Sequence, residues 1–164
     1  MANFTHKMYT EMDDYMTPFY VWDNIKQYIK TDLTIWEPFY GDGTSGQHLR
    51  DLGFNVIHEP INFFTNNLGD IIVSNPPFSI IQPILRRLFE IDKPFILILP
   101  NSKINMRWMR EWKDKHLQLI IPAKRIHFIK YVNGSTDTSK YSSCCFDCFY
   151  YCYKLDLPSD LNWL

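Results

Sequence analysis

The 164-residue chain is predicted to fold as a doubly wound α/β domain with a mainly parallel sheet. Short runs that are apolar throughout, rather than at every second position, alternate along the chain with amphipathic stretches. Strands of that kind are buried on both faces, which is typical of parallel sheets covered by helices. The length fits one core, so we expect residues 1–164 to form a single domain.

The predicted elements follow one another in a regular order. Pro18 is expected to open a helix that runs to about Tyr28. Strands are expected at LTIWEP (33–38), NVI (55–57), DIIVSNPP (70–77), FILILP (95–100), LQLII (117–121) and the cysteine-rich run 144–152. Helices are expected at QHLRDL (47–52), SIIQPILRRLFEI (79–91) and INMRWMREWKDK (104–115).

The four cysteines are clustered at Cys144, Cys145, Cys148 and Cys152. Their spacing is superficially that of a zinc site, but the segment is dense in Phe and Tyr and is predicted to be a strand. Same-face neighbours on a strand lie roughly 6–7 Å apart, so four sulfurs at about 2.3 Å from one metal would require a broken strand. We therefore expect reduced core thiols and no metal, with zinc as the alternative.

The ends and the hydropathy of the chain bear on its location. No apolar run approaches the roughly 18 residues of a membrane span. The first residues, MANFTHKMYTEMDD, lack the apolar segment of a signal peptide. We therefore expect an intracellular protein with no membrane partner.

The net charge of −1 conceals an uneven distribution. Residues 1–100 contain 7 Lys and Arg against 12 Asp and Glu, whereas residues 101–140 contain 9 against 3. Such a basic segment is either a surface that faces phosphates or a solvated helix face.

The first chemical motif, EPFYGDGTSG at 37–46, follows the predicted strand 33–38. Its glycines let the backbone turn tightly and approach a ligand, and ligands of doubly wound sheets bind beyond the carboxyl ends of the strands. Glu59 ends the next strand, 18 residues after Gly41. This is the spacing of the acid that binds ribose hydroxyls in nucleotide-binding folds. A glycine-rich turn without a ligand is the alternative.

The second motif consists of Asn75, Pro76, Pro77 and Phe78, directly after an apolar strand. The prolines fix the backbone so that a carbonyl and the Asn75 side-chain oxygen aim at one point. Two acceptors on an amino group would keep its lone pair from delocalising into a ring, and adenine N6 is a poor nucleophile for that reason. Phe78 offers a stacking face for a flipped base. A plain strand-ending turn is the alternative.

These motifs resemble those of a known family. EPFYGDG resembles the D/E-P-F-x-G-x-G motif of amino-group DNA methyltransferases, and Asn75–Phe78 resembles their catalytic D/N/S-P-P-Y/F/W motif. The sequence of Tyr15–Pro18 is similar to their Y-x-T-P element. The order of the three motifs resembles the gamma arrangement of adenine-N6 enzymes, over about residues 15–128. The resemblance implies S-adenosyl-L-methionine (SAM) as cofactor, DNA as partner, and the seven-stranded, mainly parallel sheet of class I SAM-dependent methyltransferases.

The resemblance also implies roles for individual residues. Glu37 and Gly41 would line the methionine moiety of SAM, Glu59 its ribose, and Asn62 with Phe63 its adenine, while Asn75–Phe78 would hold the target base. The full expected cofactor set is Tyr15, Thr17, Pro18, Glu37, Pro38, Phe39, Gly41, Gly43, Glu59, Asn62 and Phe63. Two features depart from the family: Asn62 replaces the usual acid, and the short segment between Gly53 and Asp70 predicts a reduced or missing third strand.

Nothing in the chain has the length of the separate target-recognition domain that many relatives carry. Specificity is then expected from the stretch after Pro100 and from Lys124–Lys140, whose run NGSTDTSK has the composition of a loop. The expected phosphate contacts are Lys103, Arg107, Lys124, Arg125 and Lys130, although Arg125 and Phe128 could equally be structural. The small size also predicts a homodimer or a short recognition site.

Two other functions remain open from the sequence. The first is a methyltransferase of the same fold that acts on RNA or on a protein glutamine. The second is a SAM-binding partner subunit that has lost its activity.

Overall fold

The computed structural model describes residues 15–132, 135–141 and 146–164, with the backbone alone for 131–132 and 135–141. Its strands are β1 (Tyr15–Met16), β2 (Thr34–Trp36), β3 (Asn55–Ile57), β4 (Ile71–Ser74), β5 (Phe95–Pro100), β6 (Gln118–Ile121), β7 (Ile129–Val132), β8 (Ser135–Tyr141), β9 (Cys148–Tyr153) and β10 (Leu161–Trp163). Its α-helices are α1 (Phe19–Asp23), α2 (Thr44–Asp51) and α3 (Ile81–Ile91). Short 3-10 helices span Lys26–Tyr28, Phe78–Ile80, Asn101–Asn105 and Arg107–Lys115.

Seven strands form one sheet in the order β10-β6-β9-β5-β4-β2-β3. Neighbours from β3 to β5 are parallel, as are β6 and β10. Strand β9 lies between β5 and β6 and is antiparallel to both, so the other six strands share one direction. The predicted α/β architecture with a mainly parallel sheet is therefore confirmed. Residues 58–70, all of them described, contain no strand, so β3 is an edge strand.

Helices cover both faces of this sheet because the central strands are apolar on both sides. Ile96 and Ile98 of β5 pack into one core with Val21 and Trp22 of α1 and with Leu49 of α2. Leu97 and Leu99 pack into a second core on the opposite face, together with side chains of α3 and of the 107–115 segment. The all-apolar runs in the sequence are thus explained by burial on two faces.

Three predicted helices differ in their limits or type. The helix after Pro18 ends at Asp23, because Ile25 leaves helical geometry (φ −109°, ψ 0°) before a 3-10 turn. Helix α2 begins at Thr44, inside the glycine-rich motif, where Asp42 accepts hydrogen bonds from the Thr44 backbone and hydroxyl. The predicted helix 104–115 is instead a series of 3-10 turns, interrupted by Met106 in an extended conformation and by a kink at Trp112 (φ −111°, ψ 18°).

A second, three-stranded sheet has the order β1-β7-β8 and is antiparallel. It pairs Tyr15 with Lys130 and Met16 with Ile129. The expectation that Lys124–Lys140 is a loop is therefore wrong for much of its length. Composition suggested a loop, but β8 pairs with the adjacent strand β7. The other edge of β7 is paired by β1 from more than a hundred residues away, which no local pattern reveals.

Within the described residues, the cysteine run forms a strand at Cys148–Tyr153, whereas Phe146 and Asp147 precede that strand. Cys148 and Cys152 are buried cysteines that form no disulfide, in the same core as Tyr150 and on one face of β9, and burial raises the pKa of the Cys152 thiol. Cys144 and Cys145 lie outside the described residues. Among the residues that are described, no group of three or more His, Cys, Asp or Glu could hold a metal ion, and no helix is long and apolar enough to cross a bilayer.

Candidate functional site

One crevice brings together the three sequence motifs at the carboxyl edge of the large sheet. Its empty volume is about 530 Å³, counting the part that is open to solvent. It is formed by Tyr15, Met16, Thr17, Glu37, Phe39, Tyr40, Gly41, Asp42, Ser45, Asn75, Pro76, Pro77 and Phe78. Because β2 and β4 are parallel neighbours, the segments that follow them leave the sheet side by side. Strand β1 reaches the same place through its pairing with β7.

The side-chain amide of Asn75 is held from its nitrogen end. Its Nδ2 donates to the hydroxyl of Thr17 at 3.0 Å and to the backbone carbonyl of Tyr15 at 3.4 Å. The carbonyl oxygen can only accept, so this pairing fixes which end of the amide is the NH2. Its Oδ1 is buried and has no hydrogen-bond partner among the described residues. A buried carbonyl without a donor costs about 1–3 kcal/mol, which a donor from a ligand would recover.

Glu37 places a buried carboxyl at the centre of the crevice. It is 1% exposed, and its Oε1 accepts hydrogen bonds from the Ser74 hydroxyl at 2.5 Å and from the Phe39 backbone at 3.0 Å. Burial raises the pKa of Glu37 to about 8, although these hydrogen bonds act in the opposite direction. The group is therefore mainly neutral at pH 7, and it would ionise if a cation came beside it.

The glycine-rich turn brings backbone close to its neighbours. Gly41 has φ +57°, and a Cβ there would lie 3.3 Å from Sδ of Met16 across the crevice. Gly46, in the first half of α2, packs directly on the imidazole of His58, where a Cβ would come within 2.5 Å of Cβ and Cγ. His58 in turn is 4% exposed, and its Nδ1–H donates to the Glu37 carbonyl at 2.8 Å. Glycine is thus favoured at Gly41 by the positive φ and required at Gly46 by the packing on His58.

Aromatic rings stand at both ends of the crevice. Phe78 contacts Phe146 edge-on, with ring centroids 5.4 Å apart, and Phe146 also contacts Tyr15 at 6.2 Å. At the other end the ring of Tyr40 is stacked on His58, with centroids 4.9 Å apart and an angle of 20° between the planes.

The predicted site residues divide into two groups. All four residues of the Asn75–Phe78 motif line the crevice, together with five expected cofactor residues: Tyr15, Thr17, Glu37, Phe39 and Gly41. The other six do not line it: Pro18, Pro38, Gly43, Glu59, Asn62 and Phe63.

These six residues nevertheless lie within or near the motifs whose other residues line the crevice. Pro18 and Pro38 are buried, and Gly43 (φ +85°) immediately precedes α2. Glu59 is exposed, two residues beyond β3. Asn62 uses its side-chain oxygen to accept the Phe64 backbone N–H at 2.9 Å. Phe63 is 3% exposed and packs on Trp36 and Phe39 in the core.

The five expected phosphate contacts come from the segments that follow β5 and β6 and from strand β7. Lys103 and Arg107 follow β5, Lys124 and Arg125 follow β6, and Lys130 lies opposite Tyr15. Arg107, Lys124 and Lys130 are exposed, whereas Lys103 is half-buried. Arg125 pairs with Asp147 at 2.9 Å. Phe128 is fully buried in the core, which settles its structural role.

Sequence reasoning missed several residues of the crevice. Met16, Asp42 and Ser45 lie inside motifs that were recognised, so their nearness could have been expected. Tyr40 occupies a variable position of its motif, and Phe146 reaches Phe78 only through the fold. Comparison of the chain with family models, with curated proteins and with solved structures gives no match.

The crevice offers three chemical features: a hydrogen-bond acceptor without a donor, a buried acid that a cation would stabilise in its ionised form, and aromatic surfaces at both ends. This combination suits a ligand with an amino group on a planar ring.

Proposed function

We propose that the chain is a SAM-dependent methyltransferase that acts on the N6 amino group of adenine in DNA. The observation that carries the proposal is the Asn75 amide: its oxygen is buried without a donor at the crevice, and its nitrogen is held in place by Thr17 and Tyr15. The crevice also gathers the three motifs on which the family resemblance depends.

Asn75 would accept one hydrogen of the target amino group. Pro76 and Pro77 have no N–H to donate, so the backbone there presents only carbonyl acceptors. Acceptors on an aromatic amine draw its lone pair back onto nitrogen, where it is needed for attack, and such preorganised contacts are strong where water is excluded. Phe78, braced by Phe146, would stack on the flipped base.

The residues of the crevice fit SAM at its methionine end. The buried Glu37 carboxyl would pair with the ammonium group and lose its proton, and Gly41 would let the backbone approach the ligand. When bound, SAM supplies a methyl group on a positively charged sulfur, and transfer to an amine leaves the electron pair of the broken carbon–sulfur bond on that sulfur and releases one proton from the amine.

The sheet supports a class I methyltransferase fold with one strand fewer at one edge. The missing strand would lie beyond β3, and the short segment between Gly53 and Asp70 contains no further strand for that position. The C-terminal region extends the sheet at the opposite edge with β10. DNA is proposed as the substrate from the motif order and from the basic loops at the crevice edge.

The proposal is tested by incubating the protein with SAM labelled in its methyl group and with separate pools of DNA, RNA and protein. The expected result is label in DNA and N6-methyladenine after digestion and mass spectrometry. Label in RNA or in a protein glutamine would assign the other substrate class, and N4-methylcytosine would keep the acceptor arrangement but change the base. No transfer, together with no SAM binding by calorimetry, would reject the enzyme.

Asn75→Ala removes the proposed acceptor and therefore tests its contribution to methyl transfer. Removing one preorganised donor or acceptor at a site of developing charge costs about 3–4 kcal/mol, so turnover should fall roughly a hundred- to thousandfold with a modest change in SAM affinity. Asn66→Ala is the matched control, since Asn66 is a half-buried loop asparagine outside the crevice. Transfer by Asn75→Ala at the wild-type rate would refute this role.

A further inference from the structure

Tyr40 presents an aromatic ring that is fixed in place yet open to a ligand. It lines the crevice and is 42% exposed. One side of the ring is covered by His58, which lies nearly parallel to it at 4.9 Å. Its hydroxyl edge lies over Gly43, where a Cβ would come 3.0 Å from Oη. A ring that is held in this way loses little freedom when a second ring stacks on it.

The support beneath the ring is rigid and uncharged. His58 is 4% exposed, is packed against Gly46 and donates to the Glu37 carbonyl. Burial lowers the pKa of His58, so the imidazole stays neutral near pH 7. Because Tyr40 follows β2 and His58 follows β3, the stack connects the segments that leave these two strands.

The order of the strands places Tyr40 away from the acceptor. Asn75 follows β4, Glu37 follows β2 and His58 follows β3, and these three strands are consecutive neighbours. Neighbouring strands are about 4.8 Å apart, so the acceptor and the Tyr40–His58 stack are separated by roughly 10 Å. A ligand whose cationic end lies at Glu37 can extend toward Tyr40 without reaching Asn75.

The ring expected from the sequence to contact the cofactor adenine is not free to stack. Phe63 is 3% exposed, with Trp36 and Phe39 packed against it at centroid distances of 5.7 and 5.2 Å. At this end of the crevice, Tyr40 is the exposed ring among the residues that line it.

We infer that Tyr40 is the surface on which the adenine ring of the cofactor stacks, an inference that rests on the proposed function. Glu37 then binds the amino-acid end of the same ligand, and Phe78, at the far end of the crevice, is left for the target base. The adenine of the cofactor and the adenine of the target are thus assigned to different aromatic side chains.

The test measures binding of S-adenosylhomocysteine and of adenosine alone by calorimetry. Tyr40→Leu keeps an apolar contact on His58 but removes the ring. Stacking on an aromatic side chain is worth about 1–3 kcal/mol, so both probes should bind roughly 5- to 140-fold more weakly. Tyr40→Phe should bind both as the wild type does. Bound adenine protons should shift upfield in NMR spectra of the wild type, and this shift should be absent with Tyr40→Leu.

Phe19→Ala is the matched control. Phe19 is 41% exposed and contacts another histidine, His48, but it does not line the crevice. Unchanged affinity of Tyr40→Leu for both probes would overturn the inference while the proposed function stands. A raised KM for DNA with unchanged probe affinity would assign Tyr40 to the target base and overturn it as well. If the wild type binds neither probe, the proposed function falls together with the inference.

Discussion

Two contacts hold the nitrogen end of the Asn75 amide, and the Tyr15 carbonyl, which can only accept, sets the orientation of the amide. The Thr17 hydroxyl is the shorter of the two contacts that the Asn75 nitrogen makes. If the amide turned over, its oxygen would face the Tyr15 carbonyl, and two acceptors would oppose each other. Thr17 is 2% exposed, so water does not replace its hydroxyl in this role.

Thr17→Val removes that hydroxyl at nearly constant volume. One hydrogen bond contributes about 0.5–1.5 kcal/mol, so methyl transfer should slow roughly 2- to 12-fold. SAM affinity should change less than the turnover, and Thr17→Ser should restore the rate. Steady-state kinetics with labelled SAM measure both quantities, and a wild-type rate for Thr17→Val would show that the hydroxyl does not position the amide.

Glu37 should make the stability of the ligand-free protein depend on pH. Its pKa is about 8 in the folded state against a model-peptide value of 4.5, so the folded state binds the extra proton between these values. The free energy of unfolding should therefore fall as pH rises from about 4.5 to about 8, by at most about 5 kcal/mol. Urea titrations across this range measure the slope.

Glu37→Gln should flatten this dependence, because an amide keeps an oxygen for the Ser74 hydroxyl but has no proton to lose. Glu59→Gln removes an exposed acid at the neighbouring strand end and is the control. Equal slopes for the wild type and Glu37→Gln would assign the pH dependence to another group.

At the scale of elements, the contact between α2 and His58, the residue that follows β3, supports one side of the crevice. Gly46→Ala would push a methyl group into the His58 ring, and overpacking of this kind costs about 1–3 kcal/mol or more. The melting temperature should fall, and SAM affinity with it, because His58 supports both Glu37 and Tyr40. Gln47→Ala, at an exposed position of α2, should change stability by about 0.5 kcal/mol or less.

The elements that the sequence predicts well are those whose signal is local. The limits of β5 match the predicted run, because burial on two faces imposes an apolar residue at every position. The limits of the edge strand β3 match as well, although Asn55 is exposed. The motif residues of the site are likewise found beyond β2 and β4. Sequence patterns do not reveal the β1–β7 pairing, the 3-10 geometry around Met106 or the burial of Phe63, because these depend on contacts between distant segments.

At the scale of the whole molecule, the basic segment 101–140 is divided between two edges of the sheet. Lys124 and Lys130 lie after β6, at the crevice edge, whereas Lys113 and Lys115 immediately precede β6, at the opposite edge. The segment is basic in sequence, but the basic side chains that the structure describes in it do not form one continuous phosphate-facing surface.

This division provides a charge-matched comparison. Lys124→Glu with Lys130→Glu should weaken DNA binding on all sequences and should lower the salt dependence by about two phosphate contacts. Lys113→Glu with Lys115→Glu makes the same change in net charge and should leave binding nearly unchanged. Fluorescence anisotropy across a salt series measures both, and equal loss in the two double variants would mean that the protein does not bind DNA by its crevice edge.

The position of β9 between β5 and β6 also determines when the molecule can fold during its synthesis. Until residues 148–153 have left the ribosome, β6 has no neighbour through which to join β5, and the nascent sheet stops at β5. The crevice is completed late as well, because β1 pairs with β7, which is synthesised more than a hundred residues after it. Such long-range pairing slows folding. A ribosome-bound chain therefore carries its Asn75 motif long before the crevice around that motif is complete.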